Sequence, residues 1–268
     1  MVAALICARG GSKRIYRKNV QMCAGMKLIE YPITEAKKCQ FIDKIYISTD
    51  DAEIAQISES HNAEVINRPF QLITDYASSG AVSYHAYREI WKQNKDVEFI
   101  VSLWATSPCL RSTSIINAYK KIKDFPTANV ISAVHKMTKP SQLNNYYAMT
   151  PQNVLMTLFP ATPQGVNVYV TNNLANVYYA CGSFCIQRIG EIEKNIFTDT
   201  KDIEENDNPV DVNNDYARAW AKVLLKRAED FSNTGLGEEI DEYSGLDINY
   251  PEDLKMAEAV LRFRGQGK

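Results

Sequence analysis

At 268 residues the chain is long for one minimal core but suits one elaborated α/β domain, and 30 Lys plus Arg against 32 Asp plus Glu leave a net charge of −2. That balance excludes a global electrostatic pull toward nucleic acid or anionic membrane, so any basic site must be a local concentration. The first predicted element is a short buried strand, Val2-Ala3-Ala4-Leu5-Ile6-Cys7. Directly after it, residues 8–19 pack the cations Arg9, Lys13, Arg14, Arg17 and Lys18 around Gly10-Gly11. Glycines free the backbone to turn with its N–H groups facing an anion, and the cations offset phosphate charge, an arrangement suited to a triphosphate. No Gly-Lys-Ser/Thr closes the loop as in a P-loop, and Gly-x-Gly-x-x-Gly is absent. A basic surface turn is the plainer alternative.

Further along, strands are expected at 44–48, 63–66, 99–103 and 130–134, alternating with helices at 28–39, 51–58, 79–93 and 112–124. This is the pattern of a mostly parallel sheet flanked by helices, in which ligands bind beyond the carboxyl ends of the strands. The glycine loop, Asp50-Asp51 and the segment 105–108 all fall at such ends; Asp50 and Asp51 read as a helix cap and first-turn charge. From 140 to 186 the composition shifts to Tyr, Asn, Val and Thr, and alternation at 166–170 and 183–186 argues for a smaller β-rich arm within a single domain of residues 1–268. The polar stretch 232–244 reads as a solvated connector, and helices are expected at 215–229 and 251–264. The six cysteines lack paired metal-ligand spacing and read as reduced packing thiols. No signal-peptide pattern and no run of about 20 apolar residues is present, so the expectation is a soluble, cytoplasmic chain without membrane or nucleic-acid partners.

The loop from Ala8 to Asn19 resembles the signature of the acylneuraminate cytidylyltransferases, which activate sialic acids and related acid sugars; there the first strand ends in Ala-Arg-Gly-Gly-Ser-Lys-Arg-Ile-Pro-x-Lys-Asn, and here only the proline differs, replaced by Tyr16. The likeness continues in order through 27–31, 47–51, Arg68-Pro69, 75–79, 106–108 and 246–254. It implies a Rossmann-like nucleotidyltransferase that couples CTP to an acidic nonulosonic sugar, giving CMP-sugar and pyrophosphate, with Mg²⁺ as cofactor and the β-rich arm pairing two copies into a homodimer. It assigns Arg9 and Lys18 to the catalytic phosphate clamp. Ala8, Gly10, Gly11, Ser12, Asn19, Arg68, Ala77 and Ser79 are assigned to the nucleotide, and Asp75 to shaping its loop.

The sugar and metal sides depart from the family. Trp104 stands where the family places a sugar-contacting glutamine, so Trp104, Thr106, Ser107 and Tyr179 are expected to face a deoxygenated or acylated relative of sialic acid. The metal pair is expected at Asp247 and Asn249, the latter an amide where the family has a carboxylate, with Asp211 as the alternative. His135 and Lys139 are possible carboxylate contacts or ordinary loop residues, and His61 and His85 receive no role. Two other readings remain open: a catalytically degenerate nucleotide-binding homologue, and a sugar-nucleotide-dependent glycosyltransferase.

Overall fold

Apolar runs too continuous for a one-faced sheet dictate a sheet covered on both sides, and this is what forms. The computed structural model describes residues 1–75, 77–136, 147–149, 155–157, 178–190 and 235–265. Strand β1 (Val2–Cys7) leads through the short β2 (Met22–Cys23) and β3 (Met26–Lys27) to helix α1 (Glu30–Lys37). Then follow β4 (Lys44–Thr49), α2 (Ala52–Ser60), β5 (Glu64–Asn67), α3 (Ser79–Gln93), β6 (Phe99–Trp104), α4 (Ser112–Asp124) and β7 (Val130–Lys136). The described chain closes with β8 (Tyr147–Met149), β9 (Leu155–Thr157), β10 (Tyr178–Arg188), β11 (Gly235–Glu239) and α5 (Pro251–Phe263).

Among the described residues seven strands form the main sheet, in the order β11-β7-β10-β6-β1-β4-β5. β1 pairs parallel with β4 and β6, β4 with β5, and β7 with β11; β10 alone runs antiparallel to its neighbours. Ala4 and Ile6 pack with Ile33 of α1 and Ile115 of α4, while Leu5 packs with Tyr84 and Tyr87 of α3. Each fully buried Ile or Leu among them contributes roughly 1.5–3 kcal/mol. A third cluster joins Ile15, Leu28 and Cys109 to Ile248 and Leu261, fastening α5 beneath the first loop. Helix starts follow their caps: Asp51 accepts from the N–H groups of Glu53 and Ile54, and Ser78 Oγ from that of Ala81.

The parallel sheet and its helices form as expected, with α3 and α4 at the expected bounds. Two expectations are corrected. The stretch 232–244 is not simply a connector, because Gly235–Glu239 adds a strand to the edge of β7; Gly237 permits that approach, since a Cβ there would sit 3.1 Å from a Val134 methyl. Residues 183–186 form a strand, but within β10 of the main sheet, where Phe184 and Ile186 are buried, rather than in a separate arm. Residues 247–249 are held as a loop, with the Ile248 N–H donating to Thr106 O at 2.8 Å. The antiparallel pair β8 and β9 falls inside the 140–186 stretch. The readings at 166–170, 211–215 and 215–229, with Asp211 and Lys139, lie outside the described residues.

Candidate functional site

Around β1 the sheet's strand order reverses, and a cavity of 630 Å³ opens at the carboxyl ends of β1 and β6. The loop after β1 forms one wall and contributes Arg9, Ser12, Lys13, Arg14, Lys18 and Asn19. Its turn does not depend on left-handed glycine: the left-handed residue is Arg17, with φ at 48°. Gly10 is required for another reason. A Cβ there would meet Asp51 Oδ2 at 2.6 Å, and the Gly10 N–H donates to Asp50 Oδ1 at 3.1 Å, so the loop is pressed onto the start of α2. A Cβ at Gly11 would meet nothing within 4 Å.

Four cations thus face one space. Lys18 Nζ donates to Ile248 O at 2.5 Å, and burial pulls its ammonium below the ordinary lysine value against the opposing pull of Asp247. Arg14 donates to Asn249 Oδ1 at 3.2 Å, while Arg9 and Lys13 both reach Asp75, at 3.1 and 2.5 Å. Arg17 turns away instead: it pairs with Asp51 and Glu53, two carboxylates at the start of α2, and so leaves the expected phosphate set. On the side of β4 and β5, Arg68 donates to Ser48 Oγ and Ser48 O at 3.0 and 2.9 Å, and Ala77 and Ser79 line the cavity beside it.

Trp104 closes the end of β6, 39% exposed, with Thr106 next along the wall. The Thr106 hydroxyl donates to Asp247 Oδ1, and Asn249 Nδ2 donates to Asp247 Oδ2 at 2.7 Å, so the expected metal pair stands side by side. Asp253 caps α5 through the N–H groups of Asn249 and Tyr250 and is committed to that task. Among the described residues no group of three or more His, Cys, Asp or Glu is arranged for a metal. One carboxylate, Asp247, is still within the donor set that suits a Mg²⁺ arriving on phosphate oxygens, which keeps most of its shell as water and phosphate.

The structure therefore brings Arg9, Ser12, Lys18, Asn19, Arg68, Ala77, Ser79, Trp104, Thr106 and Asn249 to one cavity. Other expected residues stand apart from its lining. Ala8 extends β1 by donating to Ser48 O, Gly10 presses the loop onto Asp50 and Asp51, Gly11 is outside the lining, and Asp247 is bonded to Thr106 and Asn249. Ser107 is corrected as a sugar contact: it is buried and its hydroxyl donates to Gly182 O at 3.0 Å. Tyr179 is half exposed, its ring 5.4 Å from that of His135, whose Nδ1 lies 3.0 Å from Ile240 O. His61 pairs with Glu30 on the surface side. Sequence reasoning missed Ser102, Tyr87, Cys185 and Gln187, which also line the cavity. Alternation along β6 places Ser102 on the face of Trp104 and was the available signal; β10 gave none, because its place beside β6 is a tertiary fact.

Comparison with known proteins finds relatives in sequence and neighbours in fold. N-acylneuraminate cytidylyltransferase A of Danio rerio is 35% identical over 135 residues, covering 50% of this chain and 30% of the relative. Pseudaminic acid cytidylyltransferase of Campylobacter jejuni is 38% identical over 118 residues, 44% of this chain and 51% of the relative. The chain's matches thus span about a third to a half of these curated relatives. A solved CMP:2-keto-3-deoxy-manno-octonic acid synthetase complexed with CTP shares the fold, with a TM-score of 0.65 and 14% identity over 98% of this chain and 99% of that one. The cytidylyltransferase family itself matches residues 3–157, over half the chain and including the cation loop, Arg68 and Trp104, so this chain belongs to the cytidylyltransferase family.

Proposed function

We propose that the chain couples CTP to a hydroxyl of an acidic nonulosonic sugar, yielding CMP-sugar and pyrophosphate. The observation that carries this reading is the gathering of Arg9, Lys13, Arg14 and Lys18 on one wall of a cavity whose other walls hold Arg68 and Trp104. Nucleotidyl transfer is an in-line displacement at the α-phosphate: the sugar oxygen forms a bond to phosphorus, the bridge to the β-phosphate breaks, and pyrophosphate leaves with the electron pair. Such a reaction needs positioning and charge neutralisation rather than a covalent nucleophile. Lys18 and Arg9 hold the triphosphate, Arg14 and Lys13 offset the charge that grows on the departing pyrophosphate, and Arg68, Ala77 and Ser79 receive the base. Lys18 suits its task because a half-buried ammonium gains more from an arriving anion than an exposed one.

Asp247, with the Asn249 amide beside it, would hold a Mg²⁺ brought by the nucleotide, which would supply further neutralisation of the phosphates. Trp104 offers the sugar an apolar face, which favours a deoxy or acylated acid sugar over N-acetylneuraminic acid. A homodimer is favoured by the exposed Tyr178 and Tyr179 at the start of β10. Among the described residues no helix is long and apolar enough to cross a membrane. A degenerate nucleotide-binding homologue is the second reading, favoured by Asn249 already engaged with Arg14. Incubation with CTP, Mg²⁺ and a panel of acid sugars separates the two. Pyrophosphate release that requires an acid sugar is expected; CTP binding without release under any sugar supports the degenerate homologue and refutes synthesis.

A further inference from the structure

One carboxylate in the cavity has no part in the proposed chemistry. Asp75 lies in the segment between β5 and α3, the same segment that carries Arg68 and leads into Ala77 and Ser79. Each of its oxygens takes one cation from the opposite wall: Oδ1 lies 3.1 Å from Arg9 Nη1 and Oδ2 lies 2.5 Å from Lys13 Nζ. Asp75, Arg9 and Lys13 all line the cavity, so the carboxylate occupies the cations on their ligand-facing side. A triphosphate held by the same side chains would meet a like charge already in place.

We infer that Asp75 is a positioning residue that acts as an internal stand-in for phosphate: it holds Arg9 and Lys13 across the cavity in the nucleotide-free protein and yields them to the arriving phosphates. The inference rests on the nucleotide reading above. Arg9 and Lys13 have long, mobile side chains, and without an anion their ordering would have to be paid at the moment of binding. Asp75 orders them beforehand at the expense of competing with the ligand. The three side chains are 37%, 78% and 45% exposed for Arg9, Lys13 and Asp75, so solvent screens both contacts and an exchange of partners is within reach of a polyphosphate. When the exchange occurs, the segment bearing Ala77 and Ser79 loses its tie to the loop after β1. Phosphate binding and base-side geometry are thereby linked.

The test is calorimetric titration of inorganic pyrophosphate, which has no base, into the full chain as wild type, Asp75→Asn and Asp75→Glu. Removal of the competing charge should tighten pyrophosphate binding about threefold to tenfold in Asp75→Asn at low salt. The gain should shrink in about 1 M salt, where the screening length is about 3 Å. Asp75→Glu, which keeps the charge, should bind like wild type. Weaker or equal binding in Asp75→Asn, or a gain that salt does not change, overturns the inference while wild-type CTP binding leaves the nucleotide reading standing. A wild type that binds neither pyrophosphate nor CTP overturns both.

Discussion

Replacing Asn249 by Asp removes the amide that now bridges two groups. Asn249 Nδ2 donates to Asp247 Oδ2 at 2.7 Å and its Oδ1 accepts from Arg14 at 3.2 Å. In the variant the second contact becomes an ion pair, but the first becomes a clash of two carboxylates in a partly buried place. Losing a hydrogen bond to a charged group and leaving that group with a like-charged neighbour costs about 1–3 kcal/mol, before any return from Arg14. At roughly 2–4 °C per kcal/mol for a domain of this size, the nucleotide-free variant should melt several degrees below wild type. A divalent cation reverses the sign, because two carboxylates on one side of a site are what Mg²⁺ takes from protein. Thermal unfolding in the presence and absence of Mg²⁺ should therefore show a larger metal-induced stabilisation for Asn249→Asp than for wild type. The Mg²⁺ concentration giving half-maximal pyrophosphate release should fall in parallel. Equal metal response in both proteins refutes this reasoning.

Arg9→Ala or Lys18→Ala should lower turnover by ~10²-fold or more while the protein stays folded, since each removes a charge-assisted contact made as charge develops; near-normal turnover contradicts the clamp. His85 is held by burial at a pKa of about 4, below its ordinary value of 6.5. A depressed pKa gives stability that is present above the unfolded value and lost as pH falls toward the folded one, here between 6.5 and about 4, up to about 3 kcal/mol. His85→Gln should flatten that part of the acid-unfolding curve, and an unchanged curve places the acid sensitivity elsewhere. Trp104→Gln should relax the preference toward N-acetylneuraminic acid and penalise the native sugar, read as the ratio of the two kcat/KM values. An unmoved ratio makes Trp104 a packing residue.

What sequence could supply tracks the range of the forces involved. Helices α3 and α4 were readable because their apolar spacing is local; capping by the Asp50-Asp51 pair was readable too, but one residue early, since it is Asp51 that accepts from the N–H groups two and three residues on while Asp50 takes the Gly10 N–H. The cation loop and Arg68 were readable by resemblance, and the sheet brings their side chains to one cavity. Strand β11 was not, because Gly-Leu-Gly-Glu-Glu has weak strand preference and pairs only because β7 presents an edge. Arg17 looked equivalent to its neighbours in sequence; the left-handed turn at that residue and two carboxylates on α2 take it out of the site. Asp75 was expected to shape its loop, and its two ion pairs show how, across a separation of more than sixty residues that no local pattern encodes.

The central claim is that one cavity grips triphosphate with the loop after β1 and reads cytosine with the Arg68 segment. The most direct measurement is thermal unfolding of the full chain with CTP against ATP at equal concentration. Both nucleotides offer the same phosphates, so any difference reports the base. At a hundredfold excess over its dissociation constant a ligand stabilises by about 2.7 kcal/mol, well within detection. Greater protection by CTP, reduced to the ATP level in Arg68→Met, is the predicted result; equal protection of wild type by the two nucleotides, or none by either, would contradict it.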